Sequence, residues 1–473
     1  MKLSLNTLGS FRSVYAALGD KGTLYSWITM CSQLLFMVAI IPMASVQLSP
    51  ADLAFWLSAL LLMALSSPAD FGVYNTIIRS LPFVISGRNF PEFLSSVKTR
   101  RDASSLNSDD IQTRIFSLFA FGLKQLLFPV MVVLLIGAFA GYYIYQGRTG
   151  VSGNHTFLLT ILFYWLVIPI QTFARFFESM LVGGGHIAVA KQNEAITVVL
   201  RVIVLATMLI NAAPIFYLGI IHMVATLAQL FLNIRSSTKT LLSTFDWRSV
   251  KRYLRLFSLK EQSNFTRGQY RFGVNLFSSY IIMNIGPLTV TGMKSDESVS
   301  FYLIMVRMFQ AVKQVAQVPL VVAVPRLVEL RANEKVVELL DLFTKRSLIT
   351  VMLYMCGLCL SFLYAQYFFG NTGIDYFYYL CLFGLVIFLE LNHSNHAQLV
   401  LSRNVQPFLV PSFLAAFLSA ILMYPMFLKF GIVGVILVQG LVQLVCSNWY
   451  SVYLNMKEFD DRLLAVYRFD KKK

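Results

Sequence analysis

Apolar runs of about 20 residues recur along the whole chain, each long enough to cross a ~30 Å hydrocarbon core as a helix. A hydrocarbon core offers the backbone no water, so runs of this kind satisfy their amides within helices. The expected class is therefore an all-α polytopic membrane protein. Of 473 residues, 57% are hydrophobic and 13% are charged, where a soluble domain carries about 25% charged. No stretch is long and polar enough to fold as an independent soluble domain.

About twelve spans are expected, near 24–44, 52–82, 115–143, 157–182, 188–211, 214–234, 273–292, 298–325, 347–369, 376–401, 407–428 and 432–456. An even number places both termini on one side. The basic segments 1–23, 83–114, 235–272, 326–346 and 457–473 share that side, which the positive-inside rule makes cytoplasmic. The first span reads as a retained anchor, because no small-residue cleavage site follows a short apolar core. Opposite loops are short (147–155, 294–299, 371–375 and 429–430), which argues against a large external catalytic loop. The net charge of +16 is accounted for by the basic loops, so no nucleic-acid partner is expected.

Segment 235–272 divides the spans into halves. The expected organisation is an N-terminal lobe 1–234, a basic amphipathic cytoplasmic linker 235–272, a C-terminal lobe 273–456 and a basic cytoplasmic tail 457–473. Within the linker, 245–259 reads as an amphipathic helix. Trp247, Val250, Tyr253, Leu254 and Phe257 lie on one side, and Arg248, Lys251, Arg252 and Arg255 on the other, a pattern suited to inner-leaflet headgroups. Loose internal matches support two halves: Tyr74-x-x-x-x-Arg79 with Tyr302-x-x-x-x-Arg307, and Ala228-Gln229-Leu230 with Val442-Gln443-Leu444. Repeated halves are a common transporter plan, with the passenger site between them.

Basic side chains interrupt the spans at Arg79, Lys124, Arg175, Arg201, Arg307 and Lys313, while acids at comparable depth are fewer: Asp70, Glu178 and Glu390. A charge at the bilayer centre costs about 3 kcal/mol or more, so such residues face a protein interior or a wet cavity. A cavity lined mainly by cations suits an anionic passenger. In the eighth span Arg307, Gln310, Gln314 and Gln317 share one helical face, with Lys313 beside it. Either a cavity wall or a hydrogen-bonded helix contact fits that stripe, and the two cations favour the cavity. A second stripe, Asn264, Arg267, Arg271, Asn275 and Ser278, puts Arg267 and Arg271 at the cytoplasmic mouth, as phosphate contacts or as ordinary flanking charge.

Arg175 and Glu178 form an i,i+3 pair in the fourth span, read either as a salt bridge or as part of the site. The tenth span is very polar: Glu390, Asn392, His393, Ser394, Asn395, His396 and Gln398. Asp70, Glu178, Glu390, His393 and His396 are candidates for ion coupling or gating, with polar packing as the alternative. Pro68 and Gly72 flank Asp70, so the second span is expected to break or bend there, and Pro319 and Pro325 to act likewise in the eighth, as a hinge or as a static kink. Cys31, Cys356, Cys359, Cys381 and Cys446 all lie in apolar runs and read as packing residues, the Cys356-x-x-Cys359 spacing included. No metal and no cofactor are expected. A P-loop is absent, and no Ser/His/Asp or paired-carboxylate set stands out, so the chain is not expected to be an enzyme.

The stretch from Ala69 to Arg79, Ala-Asp-Phe-Gly-Val-Tyr-Asn-Thr-Ile-Ile-Arg, resembles a motif of the Wzx-type polysaccharide (O-antigen) flippases, within the multidrug/oligosaccharidyl-lipid/polysaccharide exporter superfamily. The eighth-span ending Val318-Pro319-Leu320 through Val324-Pro325-Arg326 to Leu330, and Gly431-Ile432-Val433-Gly434-Val435, resemble the same family. The resemblance implies two six-helix lobes around a central cationic cavity in a bacterial cytoplasmic (inner) membrane. It implies an undecaprenyl-pyrophosphate-linked oligosaccharide passenger, moved from inner to outer leaflet by alternating access, with an ion gradient as candidate driving force. Lipid II flippases of that superfamily carry two additional spans, for which no counterpart is read here.

On this reading Arg79, Arg175, Arg307 and Lys313 contact the diphosphate, and Gln310 and Gln314 the sugars. Expected partners are the lipid-linked oligosaccharide, membrane lipids, and a polysaccharide polymerase with its chain-length regulator. The rivals are a drug/cation antiporter of the same fold, which would favour acids in the lumen, and a membrane-embedded polysaccharide polymerase.

Overall fold

A computed structural model describes residues 21–85, 108–149, 155–243, 247–293, 295–332, 334–369, 376–402 and 407–459. Outside them lie most of the basic segments 1–23, 83–114 and 457–473, the loop 371–375, Lys294 and Arg403. The described residues are helical, without a strand. In chain order they form α1 (Leu24–Gln47), α2 (Pro50–Ile85), α3 (Ser108–Thr149), α4 (His155–Gly183), α5 (Ile187–Ile210), α6 (Ile215–Thr240) and a short α7 (Val250–Leu256). There follow α8 (Leu259–Val290), α9 (Asp296–Ala332), α10 (Val336–Phe369), α11 (Tyr376–Leu401), α12 (Leu409–Gln443) and α13 (Trp449–Phe459).

Nine helical stretches among the described residues are long and apolar enough to cross a membrane. One of them, Leu409–Phe459, is 51 residues long and comprises two spans. The chain turns at Gly431, whose φ of 59° and ψ of −139° are non-helical. Helices α8 and α9 have the length of spans, at 32 and 37 residues, but their polar stripes lower their hydropathy. Counting these gives the twelve spans the sequence leads one to expect.

Contacts divide the chain into two compact units. Of the described residues, the first holds those within 21–52, 62–85 and 108–273; the second holds those within 53–61 and 274–459. In the first, Val73, Ile77 and Leu81 of α2 pack with Phe116, Phe119 and Phe121 of α3 and Phe176 and Phe177 of α4. Because lipid tails are as apolar as these side chains, close packing and interhelical hydrogen bonds hold such helices together. Asn193 donates to Asn233 Oδ1 at 3.0 Å, Asn233 donates to the Ala174 carbonyl at 3.0 Å, and Ser237 to the Phe177 carbonyl at 3.1 Å. These bonds tie α4, α5 and α6 together.

The amphipathic segment also joins this unit. Tyr253 stands edge-on to Phe116 at 5.4 Å, and the buried Phe257 packs on Phe121 at 5.0 Å. Tyr253, Leu254 and Phe257 of its apolar side therefore pack on protein. Segment 235–272 holds the end of α6, all of α7 and the start of α8.

In the second unit Phe309 and Phe383 pack at 5.4 Å, and the Tyr354 hydroxyl donates to the Gly384 carbonyl at 2.6 Å. Leu320, Leu327, Leu340, Phe343, Leu399 and Phe459 close one end. The eighth span does not break at its prolines. Helix α9 runs unbroken from Asp296 to Ala332 through positions 319 and 325. A proline removes a single backbone donor, and a spanning helix can absorb that loss.

Candidate functional site

The second span breaks where the sequence places its proline and glycine. Helix Pro50–Ala64 is followed by a single turn, Ser66–Ala69, and helix resumes at Val73. Phe71 and Gly72 have φ of 42° and 83°. Such backbone favours glycine, and a Cβ on Gly72 would come within 2.5 Å of the Gln269 carbonyl oxygen. The break turns Asp70 inward, where it is 1% exposed. Its Oδ1 accepts from the Gly72 N–H at 2.8 Å, while Oδ2 accepts no hydrogen bond and faces Arg175 Nη2 at 3.7 Å.

Arg175 also lies over the Tyr74 ring, 5.2 Å from its centroid. Tyr74 in turn donates to Glu178 Oε1 at 3.5 Å, and Lys191 Nζ donates to the same oxygen at 3.2 Å and to Glu194 Oε2 at 2.7 Å. Asp70, Arg175 and Glu178 therefore come together in one network of the first unit. Arg175 and Glu178 do not pair with each other; each takes a partner from a neighbouring helix. The sequence reading missed Lys191 and Glu194. Their signal was present, since they are spaced i,i+3 within the expected fifth span, as Arg175 and Glu178 are in the fourth.

Arg79 is exposed one turn beyond this network, with its guanidinium over the Phe272 ring at 4.6 Å and no acidic partner among the described residues. Arg201 on α5 is half-buried, and its Nε makes no hydrogen bond. Arg267 is exposed and Arg271 half-buried on the first turns of α8.

In the second unit Lys313 of α9 is hydrogen-bonded to Glu390 of α11. Glu390 Oε2 is buried without a hydrogen bond. One face of α9 then leaves Arg307, half-buried, without an acidic partner among the described residues, and Tyr280 of α8 is within electrostatic range of it. Gln310 is half-buried and Gln314 exposed on that face. His393 lies within electrostatic range of Glu390 and Lys313 without a hydrogen bond to either, and His396 does not reach them. His393 contacts Ser451 Oγ at 3.2 Å and stands edge-on to Phe408, while His396 contacts Asn455 Nδ2 at 3.2 Å and packs on Phe343. Both histidines thus bind α11 to α13.

No family model and no curated protein matches the chain. Solved structures do. The lipid II flippase MurJ in an inward closed conformation aligns with a TM-score of 0.61 at 13% identity, over 95% of this chain and 93% of that one. An inward-facing multidrug resistance MATE family transporter of the MOP superfamily aligns at 0.59 and 12% identity, over 94% and 99%. An outward-facing conformation of such a transporter aligns at 0.51 and 12%, over 96% and 98%. The fold is that of these membrane transporters. The helical fold is thus shared with a flippase and with drug transporters.

Proposed function

We propose that this protein is a flippase. It carries an undecaprenyl-diphosphate-linked oligosaccharide, an O-antigen or related surface-polysaccharide unit, from the inner to the outer leaflet of a bacterial cytoplasmic membrane by alternating access. The observation that supports this reading is which intramembrane charges have partners. Each acid in the interior of the spans is engaged by a cation: Asp70 by Arg175, Glu178 and Glu194 by Lys191, and Glu390 by Lys313. Arg79 and Arg307 remain without acidic partners among the described residues, and of the acids Arg201 has only Glu194 within electrostatic range, with no ion pair.

An unpaired charge in a membrane is costly, so a resting surplus of one sign calls for a ligand of the other. Diphosphate supplies it, and guanidinium binds phosphate oxygens in a two-pronged geometry. Gln310 and Gln314 offer amides to sugar hydroxyls, and the lipid tail stays in the bilayer. A drug/cation antiporter of this fold would need acids free to meet its cargo, and Asp70, Glu178, Glu194 and Glu390 are all occupied.

The ionic pairs, with His393 and His396, are the candidates for gating or coupling to an ion gradient. On the far leaflet a polymerase and its chain-length regulator would consume the product. The deciding experiment is Arg307→Gln in the host strain. Surface polysaccharide should be lost while the protein still inserts at wild-type levels, and normal output would refute the assignment.

A further inference from the structure

The first unit holds a cavity of about 520 Å³ between α3 and α8, lined by Phe121, Lys124, Gln125, Gln262, Ser263, Thr266, Arg267 and Tyr270. Positions 121, 124 and 125 share one face of α3, and 262, 263, 266, 267 and 270 share one face of α8. No carboxylate lines it. Neither Lys124 nor Arg267, both exposed, has an ion-pair partner among the described residues. The floor is rigid: Phe121 is buried between Phe257 at 5.0 Å and Phe265 at 5.4 Å. The wall is fixed as well. Ser258 Oγ and the Ser258 N–H donate to Glu261 Oε2 at 2.7 and 2.9 Å, capping α8, and Gln262 donates to the Phe257 carbonyl at 2.8 Å.

Two further features say what kind of molecule would sit there. Leu127, Phe128, Met131 and Leu135 follow Lys124 on the same face of α3 and are exposed, Phe128 to 77%. An apolar strip thus leads directly away from a basic, donor-rich cup. The second feature is where the cup falls along the chain. By the spans read from the sequence, Lys124 lies in the first half of the third span, 115–143, and Arg267 just before the seventh, 273–292, in the polar first part of α8.

We infer that this cavity is a docking site for the diphosphate headgroup of a membrane lipid, with the tail lying along Leu127, Phe128, Met131 and Leu135. Two cations balance the charge of a diphosphate better than that of a phosphodiester, and Gln125, Ser263, Thr266 and Tyr270 supply neutral donors to the remaining oxygens. No residue of it belongs to the paired networks, although Tyr270 stands edge-on to Phe71, next to Asp70, at 6.3 Å. The inference rests on the lipid-linked reading above for the identity of the cargo, and it makes the cup a waiting position on the basic side of the membrane. The cup would select the headgroup before translocation begins.

The test is binding, read apart from transport. The full-length protein is placed in phosphatidylcholine nanodiscs and titrated with radiolabelled geranylgeranyl diphosphate, with geranylgeranyl monophosphate and phosphatidylglycerol as competitors. Wild type should hold the diphosphate about tenfold more tightly than either competitor. Lys124→Gln and Arg267→Gln should each weaken it about tenfold, the loss of one charge-assisted contact. Thr266→Glu should abolish binding by placing a carboxylate in the cup, and Lys124→Arg should restore it. Unchanged binding in the Gln variants, or equal competition by phosphatidylglycerol, overturns the inference and leaves the flippase reading standing. Dependence of binding on Lys124 and Arg267 in a wild-type protein that translocates no lipid-linked saccharide supports the cup and overturns the flippase reading.

Discussion

At the scale of single residues, the charges fall into two groups with different consequences when removed. Lys313 and Glu390 are a pair with side chains only 15% and 14% exposed. Deleting one partner strands the other, which costs about 3–5 kcal/mol in buried pairs. Lys313→Met and Glu390→Leu should each lower the thermal unfolding temperature of purified protein. The double variant should recover most of that loss, yet remain defective in export if the pair gates transport. Full export by the double variant would make the pair purely structural. Which residues carry charge at depth was readable from the sequence. Who neutralises whom was not, because the partners lie on different helices: Asp70 meets Arg175, 105 positions away, and Lys313 meets Glu390. Lys191 escaped notice because it is near the start of its span, where a basic residue passes for an inner-loop charge.

At the scale of elements, local backbone chemistry was the most transparent part. Pro68 and Gly72 announce the break in α2, and Gly431 announces the turn inside α12. A Cβ on Gly431 would meet nothing within 4 Å, so Gly431→Ala isolates backbone strain from crowding. It should cost about 1–3 kcal/mol, seen as a lowered unfolding temperature without loss of membrane insertion. Segment 245–259 was readable as amphipathic but not as docked. Periodicity shows that a helix has an apolar face, and cannot say whether lipid or protein covers it. With Phe257 buried against Phe121 and Phe265, Phe257→Ala should destabilise the first unit by about 3 kcal/mol. Faster proteolysis near Arg255 would report it. The prolines of α9 do not interrupt it, since a proline removes one hydrogen bond and the neighbours decide whether the helix breaks.

At the scale of the whole molecule, hydropathy gave the class and the span count. On the proposed function, Arg79 and Arg307, without acidic partners among the described residues, predict selectivity by charge. In proteoliposomes, inorganic pyrophosphate should inhibit translocation of a lipid-linked saccharide, and a lipophilic cation such as tetraphenylphosphonium should neither compete nor be carried. Transport of the cation would point to the drug-transporter branch of this fold. The final hairpin carries one more consequence. Gly434 sits so close to the Met426 carbonyl that the two arms of α12 meet with no slack between them. Whatever cycle of opening and closing the protein performs, these arms have no room to slide past each other. They must swing as one piece, so a spin label on each should keep a constant separation while other distances change.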